Sequence, residues 1–87
     1  MTKKEDDFFF SVKEGQIEKC IKRLLVYPEL VSESDHFKQT PLHWASKRGY
    51  EDIIELLAIF GADLKARDVF GRSARDIAIQ RNKARSI

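Results

Sequence analysis

The segment at positions 40–45, TPLHWA, constrains the fold of this sequence more than any other stretch. Thr40 offers a side-chain oxygen that can cap the first backbone N–H groups of a helix. Pro41 suits the first helical position, because no N–H is needed there and its fixed φ matches the helix. Gly49 can adopt the left-handed conformation that ends a helix. The spacing therefore predicts one short helix between Thr40 and Gly49.

A second helix is predicted directly after the first. Apolar side chains recur at helical spacing between residues 50 and 60 and stop before Gly61. The unit is therefore two short antiparallel helices between polar loops. The apolar positions of the second helix are Ile53, Ile54, Leu56, Leu57 and Phe60.

This unit resembles an ankyrin repeat. The resemblance is carried by TPLHxA at 40–45, by Gly49, by IIxLL at 53–57 and by GADLxAxD at 61–68. It implies an all-α ankyrin-repeat solenoid, in which helix-turn-helix units stack and hairpin-like loops project from one edge.

The pattern recurs along the chain. A shift of 33 residues, the ankyrin period, places Asp35 on Asp68, and residues 8–15 match residues 42–49 at a shift of 34. We therefore expect a flexible N-terminus followed by a single ankyrin-repeat domain whose last repeat is incomplete. The last repeat is expected to be a truncated cap, part of a longer array, or a repeat that a partner completes. The expected ranges are 1–7 for the N-terminus, 8–87 for the domain, and about 8–34, 35–67 and 68–87 for the repeats.

Composition narrows the class of protein. Hydrophobic residues make up 43% of the chain and charged residues 34%, as in soluble globular domains. No apolar run approaches the ~20 residues that cross a bilayer, and no signal peptide follows Met1. The single Cys20 cannot form an internal disulfide. We therefore expect no membrane insertion and a cytoplasmic or nuclear location.

Charge is distributed unevenly. Residues 1–64 carry 9 Lys+Arg against 12 Asp+Glu, a net charge of −3, whereas residues 65–87 carry 7 against 2, a net charge of +5. The basic C-terminal end makes nucleic-acid binding an alternative function. It is the less favoured one, because no known nucleic-acid-binding module is visible in the sequence.

The first repeat is expected to bury most of its apolar residues. Phe8–Phe10 open its first helix, and each ring is turned ~100° from the last, so we expect Phe9 to be exposed. The phenylalanines are expected to close the end of the stack, or to contact a partner. Cys20 is expected to be a small buried hydrophobe and not a nucleophile. The apolar stripe of the second helix is Ile17, Cys20, Ile21, Leu24 and Leu25.

Two further sets of apolar residues are expected to be buried. Leu30 and Val31 are predicted to anchor the loop after the first repeat, as Leu64 does after the second. The residues of the last helix that are expected to face inward are Ile77, Ala78 and Ile79.

The histidines are expected to have no catalytic or metal-binding role. The resemblance implies that His43 hydrogen-bonds within its own motif and to neighbouring backbone, and so ties repeats together. His36 is the only other histidine, and with one cysteine the chain shows no zinc-ligand spacing. Trp44 is expected to be partly buried, with an indole N–H that needs a partner. No metal or cofactor is expected.

The function that the resemblance implies is non-enzymatic protein–protein interaction, as an adaptor or scaffold. No catalytic constellation or Gly-rich phosphate loop is visible, and no small-molecule substrate is expected. Phe37 and Phe70 are 33 residues apart, so two loop tips should line up along one edge. The expected partner is an acidic, partly apolar protein segment; the alternative is a structural subunit of a larger assembly. Expected partner-binding positions are His36, Phe37, Gln39, Lys47, Arg48, Val69, Phe70, Arg72, Gln80 and Arg81, with Lys13 and Glu14 in the first repeat.

We predict marginal stability for the isolated chain. Fewer than three complete repeats are visible, and a stack of this size buries little apolar surface. Thermal unfolding followed by circular dichroism should therefore give a low midpoint or a broad transition. A cooperative monomeric transition well above ~65 °C would contradict this prediction.

Overall fold

Capping residues, prolines and glycines divide the chain into helices. The computed structural model describes the backbone of residues 3–85 and the side chains of residues 7–83. This part of the chain is all-α and contains no strand, as the resemblance implied. Its elements are α1 (Lys3–Lys13), α2 (Ile17–Val26), a 3₁₀ helix (Pro28–Ser32), α3 (Pro41–Arg48), α4 (Glu51–Ile59) and α5 (Ala74–Arg85). None of the described helices is long and apolar enough to span a membrane.

α3 begins and ends where its sequence signals predict. The His43 N–H donates a hydrogen bond to Thr40 Oγ1 at 3.3 Å, and Pro41 is the first helical residue. Gly49 has a φ of 72°, so it ends the helix in the left-handed conformation. The first predicted helix is therefore confirmed at both ends.

The helices form two rows. In the inner row, α1, α3 and α5 pack side by side; in the outer row, α2 packs on α1 and α4 packs on α3. α2 and α4 also touch each other. An apolar core lies between the rows, and it includes Leu30 and Val31 as predicted. Its buried members are Phe8, Val12, Cys20, Leu24, Leu30, Val31, Leu42, Ala45, Ile53, Leu57 and Ala74.

The phenylalanines of α1 correct one prediction. Phe9 is 3% exposed and Phe10 is 57% exposed, so the expectation that Phe9 is the exposed ring is wrong. By repeat position, Phe9 corresponds to His43, which is buried against the following repeat, and Phe10 corresponds to Trp44. The place of each phenylalanine in the repeat therefore decides which ring is covered. The rotation of ~100° per residue along the helix does not by itself give that place.

α1 begins earlier than the sequence analysis placed it. The predicted start is Phe8, but the helix already includes Lys3 and the residues between. The Ser11 hydroxyl donates a hydrogen bond to the Asp7 carbonyl oxygen at 2.9 Å and so joins the predicted part of the helix to the added turn. The flexibility of residues 1–7 stays a prediction, and residues 1 and 2 lie outside the described part of the chain.

Several side chains that were expected to be buried are exposed. In α2, Cys20 and Leu24 face the core, but Ile21 and Leu25 do not, because the outer row is covered on one side only. Leu64 is 60% exposed and Ile79 is also exposed. Leu64 lies beside α5 and Ile79 belongs to α5, and no second helix of the described chain packs on α5 as α4 packs on α3.

Cys20 is a buried residue, as predicted. Its side chain is fully buried. Burial raises the pKa of the thiol from 9.0 to about 11, and the negative charge of Asp52 adds to the effect. A thiol with a raised pKa is a poor nucleophile at neutral pH, so this cysteine serves packing.

His43 links the second repeat to the loop of the third. The Thr40 N–H donates to His43 Nδ1 at 3.1 Å, so the proton of the neutral ring lies on Nε2. That nitrogen donates to the Arg72 carbonyl oxygen at 2.8 Å. The residue is almost fully buried. The expected structural role of this histidine is confirmed.

We expect His43→Ala to lower the free energy of unfolding by about 3 kcal/mol, because it removes buried hydrogen bonds and leaves a cavity. Urea unfolding followed by Trp44 fluorescence measures the change. His36→Ala is the matched control: His36 is exposed, and its loss should change the free energy by less than ~0.5 kcal/mol. Equal midpoints for the two variants would contradict the role assigned to His43.

Candidate protein-binding site

Two loop tips of the same construction project beside the inner row. In the first tip, the Asp35 carboxylate accepts hydrogen bonds from the N–H groups of Phe37 and Gln39, both at 2.9 Å. Lys38 completes this turn with a φ of 58°, a left-handed conformation that is uncommon for residues other than glycine. Gly71 takes the equivalent position in the second tip at φ 75°.

The second tip is closed in the same way. Asp68 Oδ1 accepts hydrogen bonds from the N–H groups of Phe70 at 3.0 Å and Arg72 at 2.9 Å. The Val69 N–H donates to the Phe37 carbonyl oxygen at 2.9 Å and thereby joins the two tips. The two projections are therefore one connected structure.

The aromatic rings at the tips stack on each other and remain exposed to solvent. The ring centroids of Phe37 and Phe70 are 6.4 Å apart, with an angle of 17° between the planes. Phe37 is 56% exposed and Phe70 is 66% exposed. The Arg72 guanidinium lies 5.0 Å from the Phe70 ring centroid. The predicted alignment of the tips is confirmed, and the pair presents an apolar surface beside a cation.

A buried carboxylate holds this surface in place. Asp68 Oδ2 accepts hydrogen bonds from Gln39 Nε2 at 3.1 Å and from Arg72 Nε at 3.0 Å. Burial by itself would raise the pKa of this carboxyl group. The hydrogen bonds from Arg72, Gln39 and the Phe70 N–H outweigh burial and lower the pKa to about 2. Asp68 is therefore ionised at neutral pH, and its charge is matched by Arg72.

Gln39 corrects the predicted set of contact residues. It is 3% exposed, and its two polar ends are engaged by Asp68 and by Lys47, whose Nζ donates to Gln39 Oε1 at 2.9 Å. The Gln39 side chain therefore holds Asp68 and Lys47 by buried hydrogen bonds and leaves almost no surface for a partner to contact. The sequence alone could not show this, because the partners of Gln39 come from another loop and another helix.

Cations flank an indole on the face of the inner row. The Nζ atoms of Lys13 and Lys47 lie 4.4 Å and 4.3 Å from the centroid of the Trp44 ring. The indole N–H donates to Asp35 Oδ2 at 3.1 Å, which is the partner that the sequence analysis required. Trp44 is partly exposed, so this face combines an aromatic surface with positive charge.

A shallow groove of about 480 Å³ continues this face toward α5. Arg81 Nη1 donates to the Lys47 carbonyl oxygen at 3.0 Å and so bridges α5 and α3. Burial lowers the pKa of Lys47, and the nearby positive charge of Arg72 lowers it further. The residues that line the groove are Lys47, Arg72, Asp76, Ile77, Gln80 and Arg81.

Most of the predicted positions lie on this connected surface. Phe37, Val69 and Phe70 lie at the tips. Four more predicted positions line the groove: Lys47, Arg72, Gln80 and Arg81. His36 and Arg48 are exposed but do not line the groove. The organising role of Asp68 is not among the predictions from sequence, although its 33-residue spacing from Asp35 was the available signal.

Among the described side chains, no group of three or more His, Cys, Asp or Glu is arranged to hold a metal ion. A family model of ankyrin repeats, in three copies, matches residues 8–86. This chain belongs to the ankyrin repeat family, whose repeats are protein–protein interaction modules and are typically non-catalytic.

This chain is similar to segments of longer proteins. Ankyrin repeat and SOCS box protein 11 is 38% identical over 68 residues in Mus musculus, covering 76% of this chain and 20% of that protein. The Homo sapiens protein is 43% identical over 61 residues, covering 68% of this chain and 18% of that protein. ARF GTPase-activating protein GIT2 of Mus musculus is 37% identical over 70 residues, covering 80% of this chain and 10% of that protein. The chain thus spans about a fifth or less of these relatives.

We expect Asp68→Asn to lower the free energy of unfolding at neutral pH by about 1–3 kcal/mol, because it weakens buried charge-assisted hydrogen bonds. The folded-state pKa of Asp68, about 2, lies below the ordinary value of 3.8. The carboxylate therefore stabilises the fold above about pH 4, and that stabilisation is lost as the pH falls toward 2.

Urea unfolding at several pH values measures this effect as the difference between the wild-type chain and Asp68→Asn. The difference should shrink as the pH falls through this window. Asp63→Asn is the matched control, since Asp63 also closes a turn, by accepting from the Lys65 N–H at 2.9 Å, but is exposed. If the difference in the free energy of unfolding between the wild-type chain and Asp68→Asn did not change with pH, the ionised carboxylate of Asp68 would not be the group that stabilises the loops.

Proposed function

We propose that this chain is a non-enzymatic adaptor module that binds an acidic, partly apolar segment of a partner protein through its loop tips and inner-helix face. One observation carries the proposal: two exposed phenylalanines, Phe37 and Phe70, stack in register with the Arg72 guanidinium over one ring. Exposed aromatic and arginine side chains are the residues that most often dominate protein interfaces.

The rigidity of the tips supports this proposal. Carboxylates close both turns, and the Val69 N–H joins them, so the backbone is already ordered before a partner arrives. Less conformational entropy is then lost on binding. The stacked rings of Phe37 and Phe70 would gain more contact area from a partner than from each other, because both keep more than half of their surface exposed.

The charges of the inner face support an acidic partner. Lys13, Lys47 and Arg81 bring three cations to this face, in addition to Arg72. Asp68 is buried beneath it, and its charge is matched by Arg72. Asp35, which accepts from the Trp44 indole, and Asp76, which lines the groove, offset part of this charge. A carboxylate-rich segment would meet the remaining cations.

Nucleic-acid binding by the basic C-terminal end has weaker support. Arg67 donates to the Gly71 carbonyl oxygen at 2.7 Å, Arg72 pairs with Asp68, and Arg81 donates to the Lys47 carbonyl oxygen. These three guanidinium groups hydrogen-bond within their own chain, so their presence has a structural explanation that needs no phosphate ligand.

The test is an affinity pull-down from cell extract with the intact chain beside Phe37→Ala/Phe70→Ala, read by mass spectrometry. We expect a partner to be lost with the double variant, and its affinity to fall at least about tenfold when measured directly. A triple variant that also carries Arg72→Ala is run in a separate lane, because this third change also removes a hydrogen bond to Asp68.

The matched control is Leu25→Ala/Val26→Ala, which removes two exposed apolar side chains from the outer helix α2. This control should recover the same partner as the intact chain. Equal recovery by the tip variant and the intact chain would reject the tips as the binding site.

A further inference from the structure

The shallow groove between the inner helices α3 and α5 gathers cations from three parts of the chain. Its volume is about 480 Å³, and the two helices pack side by side. Lys47 reaches it from α3, Arg72 from the second loop tip and Arg81 from α5. Both of its walls belong to the described chain, so the groove lies between two neighbouring repeats.

The cations are held in place by contacts that leave N–H groups free. Arg81 Nη1 donates to the Lys47 carbonyl oxygen at 3.0 Å. Gly49 makes room for this guanidinium, because a Cβ atom on Gly49 would lie 2.7 Å from Arg81 Nε. Lys47 Nζ donates to Gln39 Oε1 at 2.9 Å and lies 4.3 Å from the centroid of the Trp44 ring. An ammonium has three N–H groups and a guanidinium five, so both cations keep donors for a ligand.

Two carboxylates near the groove are already matched by other cations. Asp68 is buried, and both Nε and Nη2 of Arg72 lie 3.0 Å from its Oδ2 atom. The Nη1 group of Arg72 is not used in this pair. Asp76 lines the groove and lies 3.8 Å from Arg67. These carboxylates therefore offset charges other than those of Lys47 and Arg81.

Lys47 and Arg81 are the cations of the groove that lack such a match. Among the described residues, no carboxylate forms an ion pair with either of them. Burial lowers the pKa of Lys47, and the charge of Arg72 lowers it further; the opposing charges of Asp35 and Asp68 do not cancel these effects. The groove is therefore a place where positive charges are close together and an added anion would relieve their repulsion.

We propose that this groove binds the phosphate of a phosphorylated serine in the partner segment, an inference that rests on the adaptor function proposed above. A phosphate monoester carries about two negative charges at neutral pH and three acceptor oxygens. It can thus meet Lys47, Arg81 and the Nη1 group of Arg72 together, whereas a carboxylate has one charge and two oxygens. Because Arg72 also lies 5.0 Å from the Phe70 ring centroid, a segment that covers the tips can reach the groove.

The probe is phosphoserine with an acetylated amino group and an amidated carboxyl group, so that phosphate is its only charged group. It is titrated at about pH 7.5 into the isotope-labelled full chain and followed by amide chemical shifts. We expect saturable shifts at Lys47, Gln80 and Arg81 with a Kd on the order of 1 mM. Acetylated and amidated glutamate should bind at least about tenfold more weakly, and inorganic phosphate should bind no more tightly than the phosphoserine derivative.

Two variants locate the phosphate. Gln80→Glu adds a negative charge to the lining at an exposed residue and should weaken binding at least about tenfold. Arg81→Gln removes one of the unmatched cations and should weaken it about fivefold. Arg75→Gln is the matched control: it removes an exposed cation of the same helix that does not line this groove, and should change the Kd by less than about twofold.

Absence of saturable shifts up to ~20 mM of the phosphoserine derivative would overturn the proposal. Shifts that are indifferent to both Gln80→Glu and Arg81→Gln would also overturn it. Equal binding of the glutamate derivative would reject the preference for phosphate, and much tighter binding of inorganic phosphate would assign the groove to a free anion. Phe37→Ala/Phe70→Ala should bind the phosphoserine derivative as the intact chain does, so a failure here is distinguishable from a failure of the adaptor proposal, which the pull-down with that variant tests.

Discussion

The buried carboxylate of Asp68 is the contact on which the candidate site depends. Its two oxygens accept hydrogen bonds from the backbone and side chain of Arg72 and from Gln39 of the preceding loop. A buried charge is tolerated only when it is paired and hydrogen-bonded, so the loops must keep one geometry to satisfy it. His43 adds a second link by donating to the Arg72 carbonyl oxygen. Together these contacts convert two neighbouring loops into one rigid edge.

That rigidity explains how apolar side chains can stay at the tips of polar loops. Phe37 and Phe70 stack on each other and are held by turns that Asp35 and Asp68 close. The tips do not depend on burial of their rings, because the hydrogen bonds beneath already order the backbone. Recognition and stability are therefore separated: the buried polar groups maintain the shape, and the exposed rings are available for contact.

The outer side of the molecule follows a different principle. There, helices cover one another: α2 packs on α1, and α4 packs on α3. α5 keeps small residues, Ala74 and Ala78, facing a groove with a cationic rim at Arg75. The same period thus produces an edge of projecting rings on one side and packed helices on the other.

The sequence by itself determined the local structure. Helix starts at Thr40 and Ser73, where Ser73 and Asp76 cap each other, and the left-handed end at Gly49 depend on residues within about four positions. The 33-residue period then predicted the ankyrin stack and the aligned tips. Only the tertiary structure decided burial: Phe9 is covered and Phe10 is not, Gln39 is enclosed, and Ile21, Leu25, Leu64 and Ile79 are exposed. Burial depends on which neighbouring element packs against a residue, and that neighbour lies far away in the chain.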